Sequence, residues 1–110
     1  MTQLRREVRS EGGTGIVAVA GQELVASWRY DYIQVVHVSD TARGPTRIDG
    51  LREKQTWMVS VPRIYADALP KSVQAGAKTT LRIGRGANEF VYFHGRYDVE
   101  PGTVALLFGG

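Results

Sequence analysis

The chain has 110 residues, of which 43% are hydrophobic, with a formal net charge of +3 at pH 7 and no cysteine. This length is enough for one domain with its own core, and the lack of cysteine excludes disulfide bonds and thiolate metal sites. Acidic and basic residues are interleaved along the chain, whereas a nucleic-acid-binding surface needs basic residues clustered on one face. The composition therefore predicts a single domain with a surface of mixed charge.

The N-terminal residues 1–13 are polar and charged, and they include Arg5, Arg6 and Arg9. They lack the apolar stretch that a secretory signal needs, and the longest uncharged apolar stretch, residues 15–22, is far too short to span a membrane. We expect residues 1–13 to form a flexible polar arm ahead of a single domain at residues 14–110. We also expect the chain to be cytosolic at synthesis.

Seven short segments show the alternation of apolar and polar residues, or the apolar runs, that are typical of β-strands. They are residues 15–20, 23–30, 32–39, 56–61, 78–83, 89–94 and 103–108. The segment 32–39 is apolar on both faces, which predicts a strand at the centre of a sheet or between two layers. Gly21 and Gln22, between the first two segments, predict a two-residue type II′ hairpin turn.

Two segments interrupt this regular pattern. Residues 40–55 contain two glycines, a proline and seven charged residues, and they predict a long inter-strand loop that carries Arg43, Arg47 and Arg52. Residues 63–77 could contain one short helical turn, at residues 64–68. The sequence as a whole predicts an all-β fold: a small antiparallel β-barrel or sandwich of about seven strands, with one long loop and a polar N-terminal arm.

The sequence contains no recognisable catalytic signature. His37 and His94 are the only histidines, and neither has a partner at the spacing of metal ligands. Asp98 and Glu100 flank a Pro-Gly turn, where acidic residues are common for structural reasons. No hydrolase, zinc-protease or phosphate-binding motif is present. We therefore expect a protein that is not an enzyme and has no cofactor or metal site.

An aromatic strand raises the possibility of nucleic-acid binding. Arg85 and Gly86 precede the strand at residues 90–94, a pattern that resembles the RNA-binding strand of RRM and cold-shock domains. Three residues separate the two parts of the motif, where the RRM pattern has two, and one of the three is Glu89. We favour Phe90 and Tyr92 as core residues. The alternative is a base-stacking surface formed by Trp28, Tyr30, Phe90 and Tyr92.

A second resemblance covers residues 67–110. Gly76 precedes the strand Thr80-Leu-Arg-Ile-Gly84, an aromatic strand follows at Phe90-Val91, and turns at Asp98 and Gly102 lead to the terminal Leu106-Leu-Phe-Gly109. This order resembles the C-terminal part of tailed-phage head–tail connector proteins, the stopper or head–tail joining family. The resemblance implies a small β-barrel or sandwich whose long loop reaches into the channel of a ring or onto the neighbouring component. Residues 40–55 would be that loop.

We therefore expect a structural subunit of a phage virion, assembled in the host cytoplasm. It would form a homo-oligomer and contact other structural proteins of the particle, with no membrane partner. The candidate assembly contacts are Arg5, Arg6, Arg9, Arg43, Arg47 and Arg52, together with exposed strand edges. The alternative, which we do not favour, is a small single-stranded nucleic-acid-binding β-barrel that uses exposed aromatic and arginine residues.

Overall fold

The computed structural model describes residues 2–110, and most of them lie in β-strands. The strands are β1 (Thr2–Val19), β2 (Gln22–Thr41), β3 (Gly44–Pro62), β4 (Lys78–Ile83), β5 (Glu89–Glu100) and β6 (Thr103–Gly109). A single short helix among these residues, α1 (Arg63–Asp67), follows β3 and confirms the predicted helical turn. Within residues 2–110, no helix is long and apolar enough to cross a membrane.

The six strands form a closed antiparallel barrel in the order β1-β2-β3-β6-β5-β4. The barrel closes where Val17 of β1 lies opposite Ile83 of β4, and Val19 opposite Leu81. The predicted all-β fold with a small antiparallel barrel is confirmed. There are six strands because the predicted second and third strands form one continuous strand, β2.

Side chains of alternate residues fill the barrel, as the pleat of a β-strand requires. In β2, Leu24, Ala26 and Tyr30 are buried, which confirms the inward face predicted for this strand. The core also contains Val17, Val19, Tyr32, Trp57, Val59, Val61, Ala66, Leu81, Val91, Phe93, Val104, Leu106 and Phe108. The barrel is therefore filled by side chains from all six strands and from α1.

The turn between β1 and β2 lies one residue earlier than predicted. Val19 pairs with Gln22, so Ala20 and Gly21 are the two central residues. Both have a positive φ, 51° for Ala20 and 82° for Gly21, as a type I′ turn requires. The alanine thus occupies a left-handed conformation that L-residues other than Gly, Asn and Asp rarely adopt.

The first three strands are 18, 20 and 19 residues long, and they extend well beyond the barrel. Residues 2–10 of β1, 31–41 of β2 and 44–55 of β3 continue as a three-stranded antiparallel sheet, which we call the blade. Residues 11–14 of β1 extend its β1 edge beside residues 27–30 of β2, which belong to the barrel. Central strand β2 lies between β1 and β3, as expected from its apolar character. The blade gives the molecule dimensions of 58 × 23 × 23 Å.

Two expectations are wrong in this region. Residues 2–13 are not an arm but the outer part of β1, and Met1 lies outside the described residues. Residues 40–55 are not a loop but the end of β2, a tight turn at Ala42 and Arg43, and the outer part of β3. The predicted arm and the predicted loop are thus two edges of one sheet.

The expected burial of Phe90 and Tyr92 is also wrong. Their side chains are 69% and 49% exposed, respectively. The alternate residues of the same strand, Val91 and Phe93, are in the core. Phe90 pairs with Thr80 across to β4, on the outer face of the barrel. The pairing register of β5 decides which alternate residues face the core, and it places Phe90 and Tyr92 on the surface.

Candidate assembly interface

The blade brings together all the arginines proposed as contacts. They are Arg5, Arg6 and Arg9 on β1, Arg43 in the turn at the tip, and Arg47 and Arg52 on β3. Side chains at odd-numbered positions of β1 lie on the face that continues the barrel interior, which we call the inner face of the blade. Those at even-numbered positions lie on its outer face.

Glu7 is the centre of an ion-pair network on the inner face. Its carboxylate accepts hydrogen bonds from Arg9, at 2.7 Å, and from Arg47 of β3, at 2.5 Å. These bonds, that from Arg9 first, hold the pKa of Glu7 below its usual value. Because Arg47 lies two strands away from Glu7, the network spans all three strands of the blade.

A stack of aromatic rings joins the blade to the barrel. The ring of Tyr30 lies 4.7 Å from that of Trp57 and 4.6 Å from that of Tyr32. The guanidinium of Arg52 lies 4.4 Å from the Tyr32 ring centroid, and it also donates to the Tyr30 hydroxyl at 3.4 Å. That hydroxyl donates to Gln55 at 2.5 Å. Burial is the main cause that raises the pKa of Tyr30 above its usual value.

The outer face of the blade carries exposed apolar side chains. Leu4 and Ile48 lie on either side of His37 in the same cross-strand row, and they are 53% and 65% exposed. Val8 is 85% exposed, although it lies in a regular strand. Arg6 of β1 pairs with Glu53 of β3 at 2.8 Å across the central strand.

The β3 edge of the blade is irregular. Two β-bulges interrupt its pairing with β2, one at Gly50 and Leu51 and one at Lys54, whose φ is 50°. The buried side chain of Gln34 donates to the carbonyl of Gly50 at 2.9 Å, so the first bulge is held from within. Pro45 near the tip has no N–H to offer a neighbour. Bulges and proline are features that prevent an edge strand from pairing with another chain.

The β1 edge is regular. β1 pairs with β2 through 18 consecutive residues without a register shift, and β4 covers its other side only at Val17–Val19. The carbonyl of Ile16 accepts from Gly84, and the N–H of Ala20 donates to Thr80. Even-numbered residues of β1 therefore direct their backbone groups away from β2. Along residues 2–14, seven such residues present N–H and C=O groups with no strand beside them.

Arg5 and Glu11 on the inner face have no ionic partner within residues 2–110. The side chain of Arg5 hydrogen-bonds to Gln3, at 3.4 Å, and Glu11 accepts a hydrogen bond from the Tyr32 hydroxyl. Arg43 at the tip makes no ion pair in this part of the chain either. The blade thus has unneutralised charges at both ends of its β1 edge.

A second surface of interest lies on the barrel, where Phe90 and Tyr92 are exposed side by side on β5. The ammonium group of Lys78 lies 5.8 Å from the Phe90 ring centroid. Trp28 and Tyr30, the other members of the predicted stacking surface, are half-buried and buried, respectively, on the inward face of β2. The four aromatic residues therefore do not form one surface.

The other residues considered for chemistry are dispersed. Asp98 pairs with Arg63 at 2.7 Å, and His37 lies against Gly50 on the blade. Within residues 2–110, no three His, Asp or Glu side chains are close enough together to hold a metal ion.

The sequence does not predict the unpaired β1 edge, because residues 1–13 have the polar composition of an arm. One signal was present. The charge alternates in sign at every second position, at Arg5, Glu7, Arg9 and Glu11. Residues two apart share one face of a β-strand, so this spacing is typical of a strand with alternating charges on one face. No known protein family matches this chain, and no characterised protein or solved structure is similar to it.

Proposed function

We propose that this protein is a structural, non-enzymatic subunit of a virus-like particle, of the class of tailed-phage head–tail connectors, and that the blade is its assembly element. The observation that carries the proposal is the open β1 edge at residues 2–14. An unpaired edge strand is a template for pairing with another chain, and soluble proteins that function alone protect such edges. Here one edge of the blade is protected by bulges and the other is not.

The shape of the blade also supports an assembly role. The central strand of the blade is buried, at Val35 and Val36, whereas its two outer strands expose most of their side chains and so leave contacts available to another chain. Leu4, Val8 and Ile48 are exposed on one of these faces. In the connector family that the C-terminal part resembles, a long element between strands reaches the neighbouring component. We propose that the hairpin formed by β2 and β3 is the equivalent element here.

A shortened blade tests the proposal. The variant lacks residues 1–7 and 34–52 and joins Ile33 to Glu53, which lie opposite each other, through an Asn-Gly turn. The barrel core is retained, since the deleted residues contribute none of its members. We expect the variant to fold and remain monomeric, while the intact chain forms species larger than a dimer in sedimentation velocity and electron microscopy.

Tyr92→Ala, on the surface of the barrel, is the matched control and should assemble like the parent. The proposal is wrong if the intact chain forms no species larger than a dimer, or if the shortened variant forms the same large species as the parent.

Exposure of Phe90 and Tyr92 favours a second candidate function, binding of single-stranded nucleic acid by the outer face of β5. Stacking of a base on an aromatic ring contributes ~1–3 kcal/mol, and Lys78 lies close enough to contact a phosphate. Fluorescence anisotropy with a labelled oligonucleotide tests this. Phe90→Ala should weaken binding about 5- to 150-fold if the surface stacks on bases. No binding by the parent would exclude this function.

A further inference from the structure

We propose that two copies of this chain associate through their β1 edges, as antiparallel strands related by a two-fold axis at Val8. The two blades then form one continuous six-stranded sheet with a barrel at each end. This inference rests on the proposed function, because it names the surface through which the blade would contact a second copy of the chain. The alternation of charge along the edge selects this register, and the length of the open edge and the direction of its backbone groups are compatible with it.

The first feature is the length of the open edge. The edge extends from Thr2, the first described residue, to Thr14, beyond which the carbonyl of Ile16 is already bonded to Gly84 of the β4 end. In an antiparallel two-fold pair, the residue on the axis lies opposite itself and all other residues pair symmetrically about it. A pair centred on Val8 sets Thr14 opposite the partner's Thr2, so it lies within the open edge of both copies and ends before β4 begins.

The second feature is the alternation of charge. With Val8 on the axis, Glu7 lies opposite the partner's Arg9, and Arg5 lies opposite the partner's Glu11. Symmetry repeats both pairs, so four pairs of opposite charge form and no like charges meet. Arg5 and Glu11, which lack ionic partners within one chain, gain them in the dimer.

The two adjacent registers fail this test, and an axis at Arg6 or at Ser10 forms only two pairs of opposite charge instead of four. Because directly opposed residues must lie on the same face of a sheet, the axis can move only by whole residues. An axis at Glu7 places that carboxylate opposite its own copy and Arg5 opposite the partner's Arg9. An axis at Arg9 opposes two guanidinium groups and brings Glu7 opposite the partner's Glu11. Like charges directly opposite each other destabilise a strand pair.

The third feature is the direction of the backbone groups. Even-numbered residues of β1 point their N–H and C=O groups outward, and the register centred on Val8 sets even residues opposite even residues. Val8 exchanges both of its hydrogen bonds with its own copy, and Arg6 does so with the partner's Ser10. The exposed Val8 side chains then meet at the axis. The β3 edge, with its bulges and Pro45, offers no such regular row.

Cysteine cross-linking tests the register, since the parent chain has no cysteine. In a hydrogen-bonded antiparallel pair, the Cα atoms of opposed residues are ~5.5 Å apart, which suits a disulfide. Val8→Cys should therefore form a disulfide-linked dimer under mild oxidation. Ser10→Cys is the matched control, because its two copies would lie about 13 Å apart along the strands. Equal cross-linking of the two variants, or none, would overturn the register.

Charge exchange tests the interface without oxidation. Arg5→Glu places two carboxylates opposite each other twice per dimer, so it should raise the dimer dissociation constant about tenfold or more in sedimentation equilibrium. The double variant Arg5→Glu with Glu11→Arg restores opposite charges and should return the constant to near the parent value. Circular dichroism of each variant confirms folding. A parent chain that is monomeric at all concentrations, or a double variant as weak as the single one, contradicts the proposal.

These results separate the dimer from the proposed function. If Val8→Cys does not cross-link while the intact chain forms large species that the shortened blade cannot form, the dimer is wrong and the assembly role stands. If the dimer forms in the expected register but nothing larger than a dimer appears, the assembly role is wrong and the dimer stands.

Discussion

At the scale of single residues, the arginines of the blade contribute more to specificity than to stability. Exposed ion pairs such as Arg6–Glu53 are worth only ~0.2–1 kcal/mol each, because water screens them. Arg52 differs, since its guanidinium lies on the ring of Tyr32 and its charge is close to an aromatic face. The order of charges along β1 therefore selects a partner and a register, while backbone pairing supplies most of the attraction.

Ala20 offers a direct test of the turn that begins β2. Alanine with φ 51° occupies a left-handed conformation that asparagine tolerates better, and Asn-Gly is a preferred pair for type I′ turns. We expect Ala20→Asn to raise the free energy of unfolding by about 0.5–1 kcal/mol in urea denaturation. Ala20→Val is the control and should lower it, because a β-branched residue is poorly suited to positive φ. A destabilising asparagine would show that the turn is of another type.

Phe90 and Phe93 provide a matched pair on one strand. Phe93 is buried against Phe108, with ring centroids 5.3 Å apart, whereas the side chain of Phe90 is 69% exposed. Phe93→Ala should lower the free energy of unfolding by about 3–5 kcal/mol, and Phe90→Ala by less than about 1 kcal/mol. Thermal melting of both variants measures this difference. Equal losses would mean that the aromatic face of β5 is covered by another subunit.

At the scale of elements, the aromatic stack explains how a thin sheet is held in line with the barrel. Tyr30 belongs to the barrel core and Tyr32 to the base of the blade, yet their rings are in contact on the same strand. Trp57 of β3 completes the stack from the neighbouring strand. Because β2 and β3 run uninterrupted from barrel to blade, the blade and the barrel share both backbone pairing and side-chain packing at this point.

The Tyr30 hydroxyl makes the stability of this junction dependent on pH. Burial, the largest cause, raises its pKa above the unfolded value of about 10, so the folded state favours the neutral phenol. This contribution is present below about pH 10 and is lost as the pH rises through the folded pKa. We expect the free energy of unfolding to fall steeply with pH in that range. Tyr30→Phe should flatten the decline, at a cost of about 1 kcal/mol at neutral pH.

An identical decline in the parent and in Tyr30→Phe would show that another group is responsible.

The barrel strands were predictable because one of their faces is buried. Leu24 and Ala26 alternate with exposed residues, and the same holds for Trp57 and Val59, so their inward faces can be read from the sequence. In the strand at residues 90–93 both faces carry an aromatic residue. Only the pairing with β4 and β6, which the sequence does not display, decides that Phe93 is inside and Phe90 outside.

The blade was not predictable by the same means. In a single-layer sheet neither face requires a continuous apolar row, so residues 40–55 have the composition of a loop although most of them form a strand. Gly50 and Lys54 mark bulges there, and not the middle of a loop. The six arginines lie in one sheet because residues 2–14 pair with β2, a long-range contact that the sequence does not display.

At the scale of the whole molecule, the blade makes the chain unusually extended. A compact domain of this length has a radius of gyration of about 13 Å, whereas that of this chain is 17.0 Å. The excess agrees with the 58 Å length of the molecule along the blade. This extended shape exposes backbone and apolar groups, and their exposure does not stabilise a monomer. We therefore expect the blade to function in contacts with other chains.

Small-angle X-ray scattering can test this extension together with the association. We expect the intact chain at low concentration to have a radius of gyration near 17 Å, and the variant without residues 1–7 and 34–52 to have one of about 12–13 Å. The intact value should rise with concentration as dimers form through β1, whereas the shortened variant should show no such rise. Arg5→Glu provides the control, because its blade is intact but its pairing is weakened. It should match the parent at low concentration and rise less. A dilute parent near 13 Å would instead mean that the blade folds back onto the barrel, and its β1 edge would then be covered within the same chain.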